Sequence, residues 1–130
     1  MKPDIYNPDC PSRIVLDRLS DKWTALIVLV LRDGPLRFSQ LRTRVGGVAP
    51  KVLTETLRRL ERDGILSRTA YAEVPPRVEY ELTALGYSLA EPITAITSWA
   101  EEHMRHVSRA RARYDRRVPL PTARVRRQQT

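Results

Sequence analysis

The chain has 130 residues, 42% of them hydrophobic, which allows one domain with a modest core. No apolar run reaches the roughly 18 residues of a membrane span, Met1 to Pro8 lacks the apolar core of a signal peptide, and the single Cys10 excludes an internal disulfide framework, so a cytoplasmic protein is expected. The net charge of +8 is concentrated: up to Met104, 14 basic residues balance 14 acidic ones, and beyond it nine arginines face Asp115 alone, a block that suits a polyanionic partner or a solubilising tail.

Residues 1–9 hold two prolines and no periodicity and are expected to form a flexible arm. Cys10-Pro11-Ser12 leads into a short amphipathic helix carrying Ile14, Val15, Leu16 and Leu19, with Pro11 tolerated in its first turn. Ser20 or Asp21 caps a second helix, Lys22 to Arg32, apolar on most sides through Trp23, Leu26, Ile27, Val30 and Leu31; Gly34 and Pro35 stop it. Arg37-Phe38-Ser39 starts a third helix with Ser39 as the expected N-cap and Leu41 and Val45 on its inner face.

After the Gly46-Gly47 turn, Pro50 fits the first position of a fourth helix and Gly64 ends it. Leu53, Leu57 and Leu60 form one apolar stripe there. At 100° per residue, Lys51, Glu55, Arg58 and Arg62 fall on the opposite face, with Arg59 beside them. Such a helix suits a major groove, although the same face on an isolated helix is usually only solvated.

The period then changes. Ile65–Glu73 and Arg77–Leu82 read as two strands, Val78, Tyr80 and Leu82 alternating with Arg77, Glu79 and Glu81, and Val74-Pro75-Pro76 forms the tip. Thr83 caps a long helical region in which Leu85, Leu89, Ile93, Ile96 and Trp99 share a face and Pro92 is expected to kink or split the helix. A main domain over residues 10–112 and a basic, disordered tail over 113–130 follow from this pattern. The fold class is mainly α with a small β-hairpin, a helix-turn-helix followed by a wing. On that plan Lys51, Glu55 and Arg58, with Thr54 at the margin, face base edges. Arg42, Arg59, Arg62 and Arg77 reach phosphates or the minor groove, and Ser39 offers a phosphate contact at a helix N-terminus.

Cys10-Pro11, Asp21-Lys22-Trp23-Thr24, Arg37-Phe38-Ser39-Gln40-Leu41, Lys51-Val52-Leu53-Thr54, Leu57 to Gly64, Arg68, and Val74-Pro75-Pro76-Arg77-Val78-Glu79-Tyr80-Glu81-Leu82-Thr83-Ala84-Leu85-Gly86 resemble the HxlR-type regulators, relatives of the MarR regulators. The resemblance covers Cys10 to about His103. It implies a winged-helix homodimer on palindromic operator DNA, dimerising through its N- and C-terminal helices, with Ile14, Ile93, Ile96 and Trp99 as interface residues here. It also implies that the cysteine of the Cys-Pro pair senses oxidants or electrophiles, a role chemically compatible with a thiol at a helix start. The chain departs from many members in carrying Ala49, a poor N-cap, where they have serine.

His103 and His106 have His-x-x-His spacing, but a metal needs three or four ligands, and a solvated helix end is the simpler reading. No nucleophile-base arrangement, phosphate loop or paired-carboxylate pocket marks an enzyme, and no cofactor is expected. The expected function is therefore that of a DNA-binding regulator, repressing as a homodimer. Two alternatives remain open: a winged-helix protein-interaction module, and an RNA-binding adaptor using the arginine tail.

Overall fold

The structure is a computed structural model that describes residues 2–118. The chain divides into two compact units, one ending at Thr94 and the other starting at Ala95. In chain order the elements are α1 (Pro11–Leu19), α2 (Lys22–Leu31), β1 (Leu36–Arg37), α3 (Phe38–Val45), α4 (Pro50–Arg62), β2 (Leu66–Tyr71), β3 (Arg77–Leu82) and α5 (Ala84–Arg117).

The core of the first unit is the meeting point of stripes that the local sequence dictates. Ile27, Val28 and Leu31 of α2 pack with Leu41 of α3 and with Leu53, Leu57 and Leu60 of α4. Leu66 and Leu82 close it from the sheet, and Ala90 and Ile93 from α5. Trp23 lies against its edge under the Lys22 ammonium, 4.3 Å from the ring centroid. Thr56 is fully buried, and its hydroxyl donates to Val52 O at 2.8 Å, so burial leaves no polar atom stranded.

The expected mainly helical fold with a β2-β3 hairpin is present, and the structure adds detail to it. The wing is part of a three-stranded antiparallel sheet in the order β1-β3-β2, with Leu36 opposite Tyr80 and Arg37 opposite Glu79. Two residues are too few to show an alternating pattern, so β1 leaves no periodic signal. Next, α3 starts at Phe38 and its N-cap is Arg37, not Ser39. The Gln40 side chain accepts from the Arg37 N–H at 2.9 Å, the return half of a capping box, and this fixes the start two residues earlier than the serine suggested. Residues 2–9, expected as a flexible arm, form turns with hydrogen bonds of their own. Asn7 N–H donates to Asp4 O, Cys10 N–H to Asn7 O, and the Asp4 and Asn7 side chains accept from the Tyr6 and Asp9 amides. Finally, α5 runs unbroken through Pro92 to Arg117, so 113–117 are helical. A missing N–H removes only one bond of so long a ladder. The rest of the expected tail, from Pro119, lies outside the described residues.

One junction ties four elements together. At the end of α4, Gly64 has φ of 77°, its N–H donates to Glu61 O at 3.1 Å, and the Ile65 N–H reaches back to Leu60 O at 2.9 Å, a Schellman ending. The Thr83 N–H donates to Ile65 O at 3.0 Å. The Thr83 hydroxyl also lies within bonding distance of Gly64 O and Ile65 O, and it accepts from the Gly86 N–H at 3.2 Å, capping α5. Gly86 is buried against Ile65 O, where a Cβ would collide with that backbone oxygen and touch Leu82 Cδ2 at 3.0 Å. Gly86→Ala is therefore expected to lower stability by about 2–3 kcal/mol through forced backbone displacement. Urea unfolding monitored by circular dichroism checks this; an unchanged midpoint contradicts it.

Candidate nucleic-acid interface

Helix α4 is built to be held from behind and open in front. Pro50 occupies its first turn, and Ala49 provides no side-chain cap, as the sequence implies, although its carbonyl accepts the Leu53 N–H at 3.0 Å. The leucine stripe is buried, and Lys51, Glu55, Arg58 and Arg62 are exposed on the other side. Among the described residues none of these four charged side chains has a hydrogen-bond or ion-pair partner, and the same holds for Arg42 on α3. Ser39 lies in the first turn of α3, exposed, with its hydroxyl unbonded among the described residues. Thr54 is half-buried and its hydroxyl donates to Pro50 O at 2.9 Å, which spends its donor inside the helix.

Two of the expected phosphate contacts are already engaged. Arg59 pairs with Asp21 at 3.5 Å and donates to the Thr56 hydroxyl at 3.2 Å, linking α4 to the start of α2. Arg77 pairs with Glu73 at 3.2 Å and Glu79 at 3.7 Å, and its guanidinium lies 4.0 Å above the Tyr71 ring. Its Nε is buried without a partner. With two carboxylates on one guanidinium, Arg77 organises the wing and contributes no local positive excess.

Arg68 belongs to the motif residues of the resemblance, but its sequence context alone assigns it no contact. It stands exposed on β2 opposite Tyr80, and with Thr54, Leu57, Arg58, Glu61 and Tyr80 it lines a cleft of about 300 Å³ between α4 and the sheet. Arg68 and Arg58 both have no ion-pair partner among the described residues. The signal was an arginine at a non-core position of a strand next to the recognition helix, visible only once the strand register is known.

Cys10 is the N-cap of α1 and is 5% exposed, yet it stands outside the leucine core and is covered by the folded arm. Its Sγ lies 3.1 Å from the Ser12 hydroxyl and accepts from the Asp4 N–H at 3.3 Å. The Ser12 hydroxyl, followed by the Asp4 and Ser12 amides, lowers its pKa from 9.0 to about 7, against a smaller upward push from burial.

The expected interface residues separate. Ile14 is 44% exposed, Ile96 69% and Trp99 57%, all available for a partner. Ile93 is 8% exposed and belongs to the core of the first unit, so it has no surface left for a second chain. His103 stacks on Trp99 at 4.7 Å, and its Nδ1 lies 2.8 Å from Trp99 O. Among the described residues no group of three potential metal ligands forms, at His103 and His106 or elsewhere. No described helix is long and apolar enough to cross a membrane.

A helix-turn-helix backed by a leucine core and followed by a β-ribbon defines a winged-helix transcriptional regulator. The chain belongs to the HxlR-like helix-turn-helix family, whose model matches residues 18–108. It is 44% identical over 104 residues to the HTH-type transcriptional regulator YtfH of Escherichia coli (strain K12), an alignment covering 80% of this chain and 82% of that one. The solved structure of the ytfH regulator from Salmonella typhimurium superposes with a TM-score of 0.80 at 41% identity, covering 85% of this chain and 99% of that one. The redox regulator HypR in its oxidized form gives a TM-score of 0.67 at 36% identity, covering 72% and 96%. These relatives are transcriptional regulators and indicate no catalytic family.

The rate of Cys10 alkylation by iodoacetamide is expected to reach half its plateau near pH 7, because only the thiolate reacts. Ser12→Ala should move that midpoint upward, toward the ordinary thiol value. A wild-type midpoint at 9.0 contradicts the hydrogen-bonded geometry.

Proposed function

We propose that the protein is a sequence-specific regulator that binds a palindromic operator as a homodimer and represses from it, in a bacterial cytoplasm. The observation that carries this is the outward row on α4: charged side chains with no partner among the described residues, on a helix whose other face is locked into the core. A protein spends such groups on an external ligand, and a helix with this width and charge fits the major groove. Lys51, Glu55 and Arg58 face base edges. Glu55 accepts from a cytosine amino group, and Arg58 pairs with the O6 and N7 of guanine. Arg42, Arg62, Arg68 and the Ser39 hydroxyl take phosphates, whereas Arg59 and Arg77 hold α4 and the wing in place. A second copy packs against Ile14, Ile96 and Trp99, which are too exposed and too apolar for a solitary chain.

Gel shifts on the DNA flanking its own gene, against a scrambled duplex, test the reading. Arg58→Ala is expected to cost about 1–3 kcal/mol on the operator and to leave scrambled DNA almost unaffected. Equal loss on both removes Arg58 from base recognition. Ile96→Asp with Trp99→Asp should shift the protein from dimer to monomer in sedimentation at micromolar concentration. A dimer that persists unchanged locates the interface elsewhere.

The Cys10 geometry favours a second element of this function: response to oxidants or electrophiles. A thiol whose pKa is lowered to about 7 is about half thiolate near neutral pH, and HypR, which this chain resembles, is a redox regulator. Modification enlarges the sulfur, which is held between the Asp4 amide of the arm and the Ser12 hydroxyl of α1, and so disturbs the start of α1. Diamide should release operator DNA from the wild type and not from Cys10→Ser; equal release from both ends this reading.

A further inference from the structure

The first 104 residues carry no net charge, so the winged helix has almost no excess with which to attract DNA. The whole excess lies beyond Met104, and the structure makes the first part of it helical. Arg105, Arg109, Arg113 and Arg116 recur at intervals of four, four and three residues along α5. At 100° per residue they occupy an arc of about 80°, and at 1.5 Å per residue they form a row about 16 Å long. Glu102 is the one carboxylate in that arc, at its N-terminal end. All four arginines are exposed, and none has an ion-pair partner among the described residues.

About 120° around the same helix, Ile96, Trp99, His103, Val107, Ala110 and Tyr114 recur every three or four residues. That is the seam of a helix that packs against another helix, narrow and broken by alanine and histidine, not the broad apolar face of a helix lying in a lipid surface. With the seam facing a second copy, the arginine row faces outward. An arginine every turn, on long side chains with planar donor forks, matches a line of phosphates.

We propose that this row is a second nucleic-acid-binding surface, which grips the phosphate backbone of duplex DNA without reading bases. The proposal rests on the DNA-binding reading above but uses none of the α4 residues. The helix supplies nonspecific attraction and α4 supplies sequence choice.

The test compares three full-length proteins on flanking and scrambled duplexes across a salt series: the wild type, a row variant (R105Q, R109Q, R113Q and R116Q) and an α4 variant (K51A and R58A). The row variant should lose salt dependence on both duplexes, the slope of log K against log salt falling by about 3 per protomer, while the ratio between duplexes stays fixed. The α4 variant should lose the ratio and keep most of the slope. An Arg→Lys version of the row should retain the slope, which separates charge from damage to the helix. An unchanged slope in the row variant overturns the proposal, as does loss of slope in the lysine version. It is also overturned if the row is needed only for binding phosphatidylglycerol vesicles, with the DNA slope unaffected. If the row variant behaves as expected and the α4 variant keeps its ratio, the second surface stands and the assignment of base contacts to α4 falls.

Discussion

The bonds around Thr83 are the constraint on which the rest of the first unit depends. In one place the chain ends α4 with Gly64, begins the wing at Ile65 and Leu66, closes β3 at Leu82 and starts α5. Thr83 and Gly86 serve all of these at once: the threonine through its N–H and hydroxyl, the glycine by lacking a Cβ where Ile65 O passes. Helix α4 therefore cannot slide along its axis without pulling on the wing, because the Schellman ending and the first ladder pair, Leu66 opposite Leu82, share neighbouring backbone. A winged helix has to present its helix and its ribbon to one duplex in fixed register, and this junction supplies that register by backbone hydrogen bonds, whatever side chains face outward.

How much of this was legible depends on the range of the interaction involved. The α4 leucines, Pro50 and Gly64 are local signals, and the helix starts and stops where they indicate. The Thr83 cap is equally local. What escaped was set at a distance. A two-residue β1 exists only because β3 is there to pair with it. Arg59 looks like a free cation in the string of residues, and only the fold brings Asp21 to it; the carboxylate partners of Arg77, Glu73 and Glu79, are near in sequence, but only the hairpin register sets Tyr71 under the same guanidinium. The same holds for Ile93: its helical phase with Ile96 and Trp99 is real, but one unit's core claims it first. Arg68 failed in the opposite sense, since a strand residue reads as structural until its neighbour across the groove is known to be Arg58.

At Cys10 the thiol pKa is lowered by hydrogen bonds, with no cationic partner among the described residues. Burial alone raises a thiol pKa, and here the opposing effect comes from donors within a few residues along the chain: the Ser12 hydroxyl and the amides of Asp4 and Ser12. The arm supplies the Asp4 amide only because its own turns are closed by Asp4, Asn7 and Asp9. Thiolate character and coverage therefore share one origin. An arm that opens exposes the sulfur and withdraws a donor from it, so access and acidity change in opposite directions.

The distribution of charge divides two tasks that one basic surface would otherwise combine. Nonspecific attraction to DNA grows with the number of phosphates neutralised, whereas choice of sequence grows with the fit of a few groups to base edges. In this chain the recognition helix carries a glutamate among its basic residues, the wing arginine is neutralised by carboxylates, and the first 104 residues balance to zero. A nearly neutral reading head discriminates well, because wrong duplexes gain little from its phosphate contacts. On the proposed division of labour, the distal part of α5 supplies the attraction that such a head lacks, raising affinity for every duplex equally and leaving the difference between duplexes to Lys51, Glu55 and Arg58.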